Sequence, residues 1–174
     1  MGTFSTVKPE ELDKSIFRII SKDWMLISAE KNGKVNTMTA SWGGAGFLWN
    51  KNVAFIFVRK SRYTKEFIDS SDTFSLSVLD HGKYAKTLSY LGTVSGRDGD
   101  KIAKSGLTVV HEDGTPYFEE AGAVLVCKKL CRQPIEPGNF IADGIDSSWY
   151  ADKDYHDMYI GEITRMLVSD QSVL

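Results

Sequence analysis

Lys31-Asn32-Gly33-Lys34 constrains this chain more than any other short stretch, because Asn-Gly supplies the two positive φ values that a type I′ turn demands. It joins residues 24–29 to residues 35–40, so the first two predicted strands must lie side by side and antiparallel. Further strands are predicted over 53–59, 73–79, 107–111, 121–130 and 158–167, all rich in β-branched or aromatic residues. Helical periodicity is confined to short pieces. Residues 62–70 carry Phe67 and Ile68 on one side, with Ser61 or Thr64 placed to cap the first amides. Tyr84, Leu88 and Leu91 recur at three- and four-residue intervals after Asp80, and 98–104 follows a Ser-Gly turn. These helices are expected to cover barrel openings rather than form a layer of their own. Strands and helices do not alternate as βαβ units require, and no G-x-G-x-x-G follows a strand, which disfavours a doubly wound nucleotide fold. The expected architecture is mainly β: a closed or partly closed antiparallel barrel with a few short helices.

With 42% hydrophobic and 25% charged residues, the 174-residue chain can bury a moderate core in one domain spanning 1–174. Gly114-Thr115-Pro116 marks a loop and Pro134 with Pro137-Gly138 another, but neither is long enough to link two domains. A net charge of −2 offers no broad basic footprint, so neither nucleic acid nor a membrane surface is expected as a partner. A small molecule is. No apolar run approaches the ~20 residues of a membrane span, and Met1-Gly2-Thr3-Phe4-Ser5 lacks a basic region followed by an apolar stretch; a cytoplasmic protein is expected.

Cys127 and Cys131 fall in one predicted strand, where four residues of extended chain separate them by roughly 13 Å and preclude a disulfide. Cys127, within the apolar run 123–127, reads as an inert core thiol. The cysteines do not make a zinc site, and His81 and His111 have no partners at ligand spacing, so no metal is expected. Glu119-Glu120 reads as a solvated loop end.

The chemistry concentrates between residues 36 and 64. Asn36-Thr37-Met38-Thr39-Ala40-Ser41-Trp42-Gly43-Gly44 is small and polar around one indole, so main-chain amides can come close to the edge of a flat ligand. Arg59-Lys60-Ser61-Arg62-Tyr63-Thr64 then brings guanidiniums, an ammonium and hydroxyls to the point where the apolar run 53–58 stops. Such a cluster at a strand end can seat an anion. Together the halves suit a flat ring with a phosphate.

These two blocks, with Val94-Ser95-Gly96-Arg97-Asp98-Gly99-Asp100-Lys101 and a weaker match from His156 to Ile163, make the chain resemble the flavin reductase-like proteins, including their flavoredoxin branch. The resemblance implies an FMN-binding split β-barrel, a Greek-key antiparallel barrel that binds FMN at a homodimer interface. It implies that Thr39, Ala40, Ser41 and Trp42 face the pyrimidine edge of the flavin, with Asn36 and Met38 beside it. By the same resemblance, Arg59, Ser61, Arg62 and Thr64 hold the phosphate, and Lys101 with the Ser95-Gly96 turn adds positive charge close by. His156 then lies near the open face where a nicotinamide docks, as the one candidate catalytic residue. Two positions depart from the family pattern: Lys60 stands where many relatives carry proline, and Gly99 where the site is commonly apolar.

Taken singly, each feature has a plainer reading. Trp42 alone is a core or interface aromatic, Arg59 to Arg62 a solvated strand end, Ser95 to Asp98 a turn and helix cap, and His156 a packed histidine. Their order and spacing favour an NAD(P)H-dependent FMN oxidoreductase passing electrons to a flavin, a metal complex or a protein. The rivals are an FMN electron carrier that does not use NAD(P)H, and a non-enzymatic split barrel binding haem or another flat ligand.

Overall fold

The structure, a computed structural model, describes residues 3–170; Met1, Gly2 and residues 171–174, and with them the first two residues of the N-terminal stretch read above, lie outside it. Among the described residues the strands are β1 (Phe4–Val7), β2 (Met25–Lys31), β3 (Lys34–Ala40), β4 (Gly43–Leu48), β5 (Lys51–Arg59), β6 (Thr73–Val78), β7 (Val109–Glu112), β8 (Thr115–Phe118), β9 (Ala123–Pro134) and β10 (His156–Ser169). The helices are α1 (Ile16–Arg18), α2 (Tyr63–Ser70), α3 (His81–Thr93), α4 (Lys101–Ser105) and α5 (Ile145–Trp149). The predicted hairpin is present: Asn32 and Gly33 adopt φ of 52° and 74°, and Lys31 pairs with Lys34.

The main sheet runs β3-β2-β6-β9-β10-β5-β4, antiparallel at every step, with β1 paired to the far half of β10. β3 and β4 sit at opposite ends of this path, yet only Ser41 and Trp42 separate them in the chain. Alternating directions along the path give β3 and β4 the same sense, as in one interrupted strand. A two-residue link between the two edges forces the sheet to curl until they meet. No ladder joins β3 to β4 among the described residues, so the barrel is split at this seam.

Inward-facing residues of this sheet, including Ile27, Met38, Ile56, Phe74, Leu76, Leu125 and Tyr159, form the barrel core, and α2 adds Phe67 and Ile68 to it. The longer helix α3 and the short α4 do not cover an opening as expected. Leu26 and Leu79 bury their outward faces against Leu88, Leu91 and Ile102, which makes α3 and α4 a partial outer layer. Leu26 and Leu79, apolar on the outer side, require that cover.

The sequence reading missed β1, β4, β8, α1 and α5, and placed other boundaries a few residues off. β4 begins Gly43-Gly44-Ala45-Gly46, a composition depleted in strands, and it forms because β5 pairs with it along its whole length. The loop expected at Gly114-Thr115-Pro116 is a turn centred on Asp113 and Gly114, and Thr115 and Pro116 belong to β8. Trp24, at φ 66°, ends a wide helical turn instead of opening β2. Cys127 and Cys131 are free, with Cys127 fully buried and burial pushing its thiol pKa far up. Glu120 is tied down more than a solvated end, since its carboxylate accepts the Thr108 N–H at 3.0 Å.

Candidate functional site

At the seam lies a cavity of about 170 Å³ lined by Met38, Thr39, Ala40, Ser41, Trp42, Phe57, Arg59, Arg62 and His156. Two strand edges build it. β3 delivers Met38, Thr39 and Ala40, and the Thr39 hydroxyl donates to the Leu88 carbonyl at 2.5 Å, fastening this edge to α3. Trp42, in the link itself, stays 40% exposed. On the other side, the β5–β10 ladder sets Arg59 directly opposite His156.

α2 begins four positions after Arg59, and the residue that precedes it, Arg62, stands beside the same cavity. Arg97 braces this corner from behind: its guanidinium donates to the Ser61 carbonyl at 3.1 Å and to Glu66 at 2.7 Å, and lies over the Tyr63 ring. Lys65 pins α2 to β10 through Asp157 at 2.9 Å and the Tyr159 hydroxyl at 2.9 Å, with Asp69 at 2.7 Å. Burial opposes the Lys65 charge, but these partners outweigh it and raise its pKa above the ordinary lysine value. Burial and the neighbouring Asp69 push the Tyr159 phenol up to about 12.

His156 is 7% exposed, and its Nδ1 shares a hydrogen bond with the Tyr150 hydroxyl at 2.8 Å. Burial, then the charges of Arg59 and Arg62, drive its pKa down to about 4, with Asp154 opposing. The ring is therefore neutral at pH 7. Its centroid lies 5.2 Å from that of Trp42, which also meets Trp149 edge-on at 5.2 Å.

The strap from Trp149 to Tyr155 packs behind Arg59 and Ser61. Arg59 donates to the carbonyls of Asp154 at 2.9 Å and Trp149 at 3.0 Å. The Asp154 carboxylate accepts the Ser61 N–H at 3.1 Å and the Ser61 hydroxyl at 2.5 Å. An anion thus already rests on the corner that the sequence suggested for a phosphate.

The remaining predicted residues stand behind the cavity wall. Asn36 is 2% exposed and donates to the Thr64 hydroxyl at 2.9 Å. Gly96 packs on Asn36 so closely that a Cβ would fall 2.3 Å from its Oδ1. The Ser95 hydroxyl accepts the Arg97 N–H at 3.2 Å. Lys101 is 5% exposed and donates to the carbonyls of Leu91 and Val94, both at 2.8 Å. Its ammonium satisfies the end of α3 and does not reach the cavity lining; burial, aided by Arg62, lowers its pKa to about 8. Neither Ser61 nor Thr64 caps α2, because Asp154 and Asn36 engage their hydroxyls.

Sequence reasoning missed Phe57, Trp149, Tyr150 and Asp154. Phe57 is hidden in an apolar strand run, while the aromatic pair Trp149-Tyr150 and the acidic Asp152–Asp154 stretch just before His156 were the available signal. Among the described residues no group of three His, Cys, Asp or Glu side chains could hold a metal ion, and no helix is long and apolar enough to cross a membrane.

A main-chain rim, an indole, two guanidiniums and an anion-bearing serine suit a flat ring with an acidic tail. Comparison with known proteins points the same way. The sequence profile of the flavin reductase like domain matches residues 17–173. Among solved structures, an FMN-binding domain of a flavin reductase-like enzyme from Shewanella baltica OS155 aligns with a TM-score of 0.70 and 21% identity, covering 98% of this chain and 79% of that one. Flavoredoxin from Desulfovibrio vulgaris (Miyazaki F) gives 0.66 and 23%, over 94% and 78% of the two chains. The NADH:FAD oxidoreductase of Streptomyces globisporus C-1027, solved with NAD and FAD fragments, gives 0.60 and 19%, over 83% and 73%. At these identities the likeness is one of fold. None of the curated proteins compared matches the chain.

Proposed function

Because this chain belongs to the flavin reductase-like domain family, we propose that it is a single-domain, cytoplasmic FMN oxidoreductase that draws on NAD(P)H and passes electrons to a flavin, a metal complex or a protein. The observation that carries this reading is the convergence of Thr39 to Trp42, Arg59, Arg62 and His156 on one cavity. The main chain of Thr39, Ala40 and Ser41 offers the ring edge its donors and acceptors, and the Trp42 indole borders the ring. Arg59 and Arg62 hold the phosphate, with the Ser61 N–H and hydroxyl as further donors once Asp154 moves aside. Bound FMN would supply the redox chemistry, taking hydride at N5 and handing electrons on. Transfer of that kind depends on ring alignment more than on a side-chain acid. His156, uncharged at pH 7, borders the ring without adding positive charge, and its Nδ1 is engaged by the Tyr150 hydroxyl.

A cavity of about 170 Å³ is small beside the ~300–1,000 Å³ of most ligand sites, so the groove needs a further wall or a shifted strap. A second copy of the chain supplies that wall in the homodimer we propose. Exposed Phe17, Phe47 and Trp49 offer apolar surface for such a contact.

Titration with FMN, followed by quenching of flavin emission, tests the site. Absence of binding would end the flavin reading and leave haem or another flat ligand to be tried by absorption spectroscopy. Oxidation of NADH and NADPH, with and without added FMN, tests the donor; no turnover by flavin-loaded protein would favour the electron carrier to which the flavoredoxin likeness also points. Mass in solution tests the dimer.

A further inference from the structure

The strap places a carboxylate on the donors that a phosphate would use. The Asp154 side chain takes both the N–H and the hydroxyl of Ser61. Its own carbonyl takes one donor of Arg59, and the Trp149 carbonyl takes another. The strap is further tied by the Lys60 N–H to the Tyr155 carbonyl at 3.2 Å. Its aromatic anchor is the Tyr150–Tyr155 stack, with centroids 4.8 Å apart.

We propose that Asp154 is an internal competitor for the phosphate seat, and that it sets how strongly the site prefers a phosphorylated over an unphosphorylated flavin. This rests on the flavin reading above and adds to it a residue that governs selectivity. A phosphate monoester near neutral pH carries about −1.5 to −2 charges and three acceptor oxygens, against one charge and two oxygens for a carboxylate. It can therefore displace Asp154 from Ser61, but it must break two existing bonds to do so. Riboflavin has nothing to place there and leaves Asp154 seated. Asp154 thus lowers affinity for FMN while sparing riboflavin, and keeps FMN exchangeable. The contact is solvent-exposed, which limits its strength and makes displacement feasible.

The test compares dissociation constants for FMN and riboflavin, from quenching of flavin emission, in the wild type, Asp154→Asn and Asp154→Ser. Asp152→Asn is the control, since Asp152 lies 3.5 Å from Arg59 and removes the same charge without vacating Ser61. FMN should bind about 3- to 10-fold more tightly to both Asp154 variants, with riboflavin within about 2-fold and a smaller FMN gain in Asp152→Asn. Circular dichroism establishes that each variant is folded. Unchanged or weaker FMN binding in the Asp154 variants overturns the inference, as does an equal gain for both flavins, or an equal gain from Asp152→Asn. If neither flavin binds to any of these proteins, the flavin reading itself falls, and this inference with it.

Discussion

Arg59 and His156 stand directly opposite each other where β5 meets β10, so a permanent cation and a titratable ring share one edge of the cavity. Burial is the largest cause of the low His156 pKa of about 4, and the Arg59 charge is the next. An NMR titration of His156 should give a pKa near that value in the ligand-free protein. Arg59→Gln should raise it. The folded-state value lies below the ~6.5 of an unfolded histidine, so the unfolded chain binds the extra proton first. This contribution to stability is present above pH ~6.5 and is lost as pH falls towards about 4, by at most about 3 kcal/mol. Urea unfolding at stepped pH, comparing wild type with His156→Gln, measures it.

Arg62 lines the cavity and donates to the Gly92 carbonyl, leaving its charge facing the proposed phosphate. Arg62→Ala should weaken FMN about 10-fold or more, the scale of a charge-assisted hydrogen bond, and change riboflavin binding by less than about 2-fold. Equal losses for both flavins would place the phosphate elsewhere.

Lys101 separates the sequence expectation from the structural placement. If its ammonium serves the end of α3, Lys101→Met should cost about 1–3 kcal/mol in denaturant unfolding and leave FMN affinity within about 2-fold. A large loss of affinity with unchanged stability would restore the flavin-side role.

Lys65 neutralises Asp157, whose side chain is only 4% exposed. Lys65→Met leaves that buried carboxylate with only the more distant Arg132 guanidinium, 3.7 Å away, at a cost of about 3 kcal/mol, and loosens the hold of α2 on β10. Urea unfolding of the variant against wild type at pH 7 measures this cost.

Gly96→Ala should destabilise by about 1–3 kcal/mol, because the added methyl meets Asn36 Oδ1 at 2.3 Å and the Tyr63 ring at 3.0 Å. Thermal unfolding reads this directly.

Local signals in the chain were enough for the hairpin at Asn32-Gly33, the apolar strands and the arginine corner. Each depends on turn chemistry or β-branched runs that operate over a few residues. The glycine-rich β4 was illegible because its pairing comes from β5 and not from its own composition. The cavity rim from Met38 to Trp42 was readable as a block. Asp154 was not, since its meaning arises only when β10 carries the strap back over Ser61, 93 positions away in sequence. Lys101 is the opposite case: its charge is plain in the sequence, but the carbonyls that accept its hydrogen bonds belong to the end of a helix several residues earlier.

The two-residue bridge at Ser41-Trp42 ties ligand recognition to parity. Side chains alternate faces along a strand, so one residue inserted there would exchange inside for outside throughout β4, unless its ladder with β5 were rebuilt. Two inserted residues would preserve the facing and slacken the girdle. The length of this bridge therefore limits both how far the two sheet edges can part and the width of the opening beside the indole, and neither can change without the other.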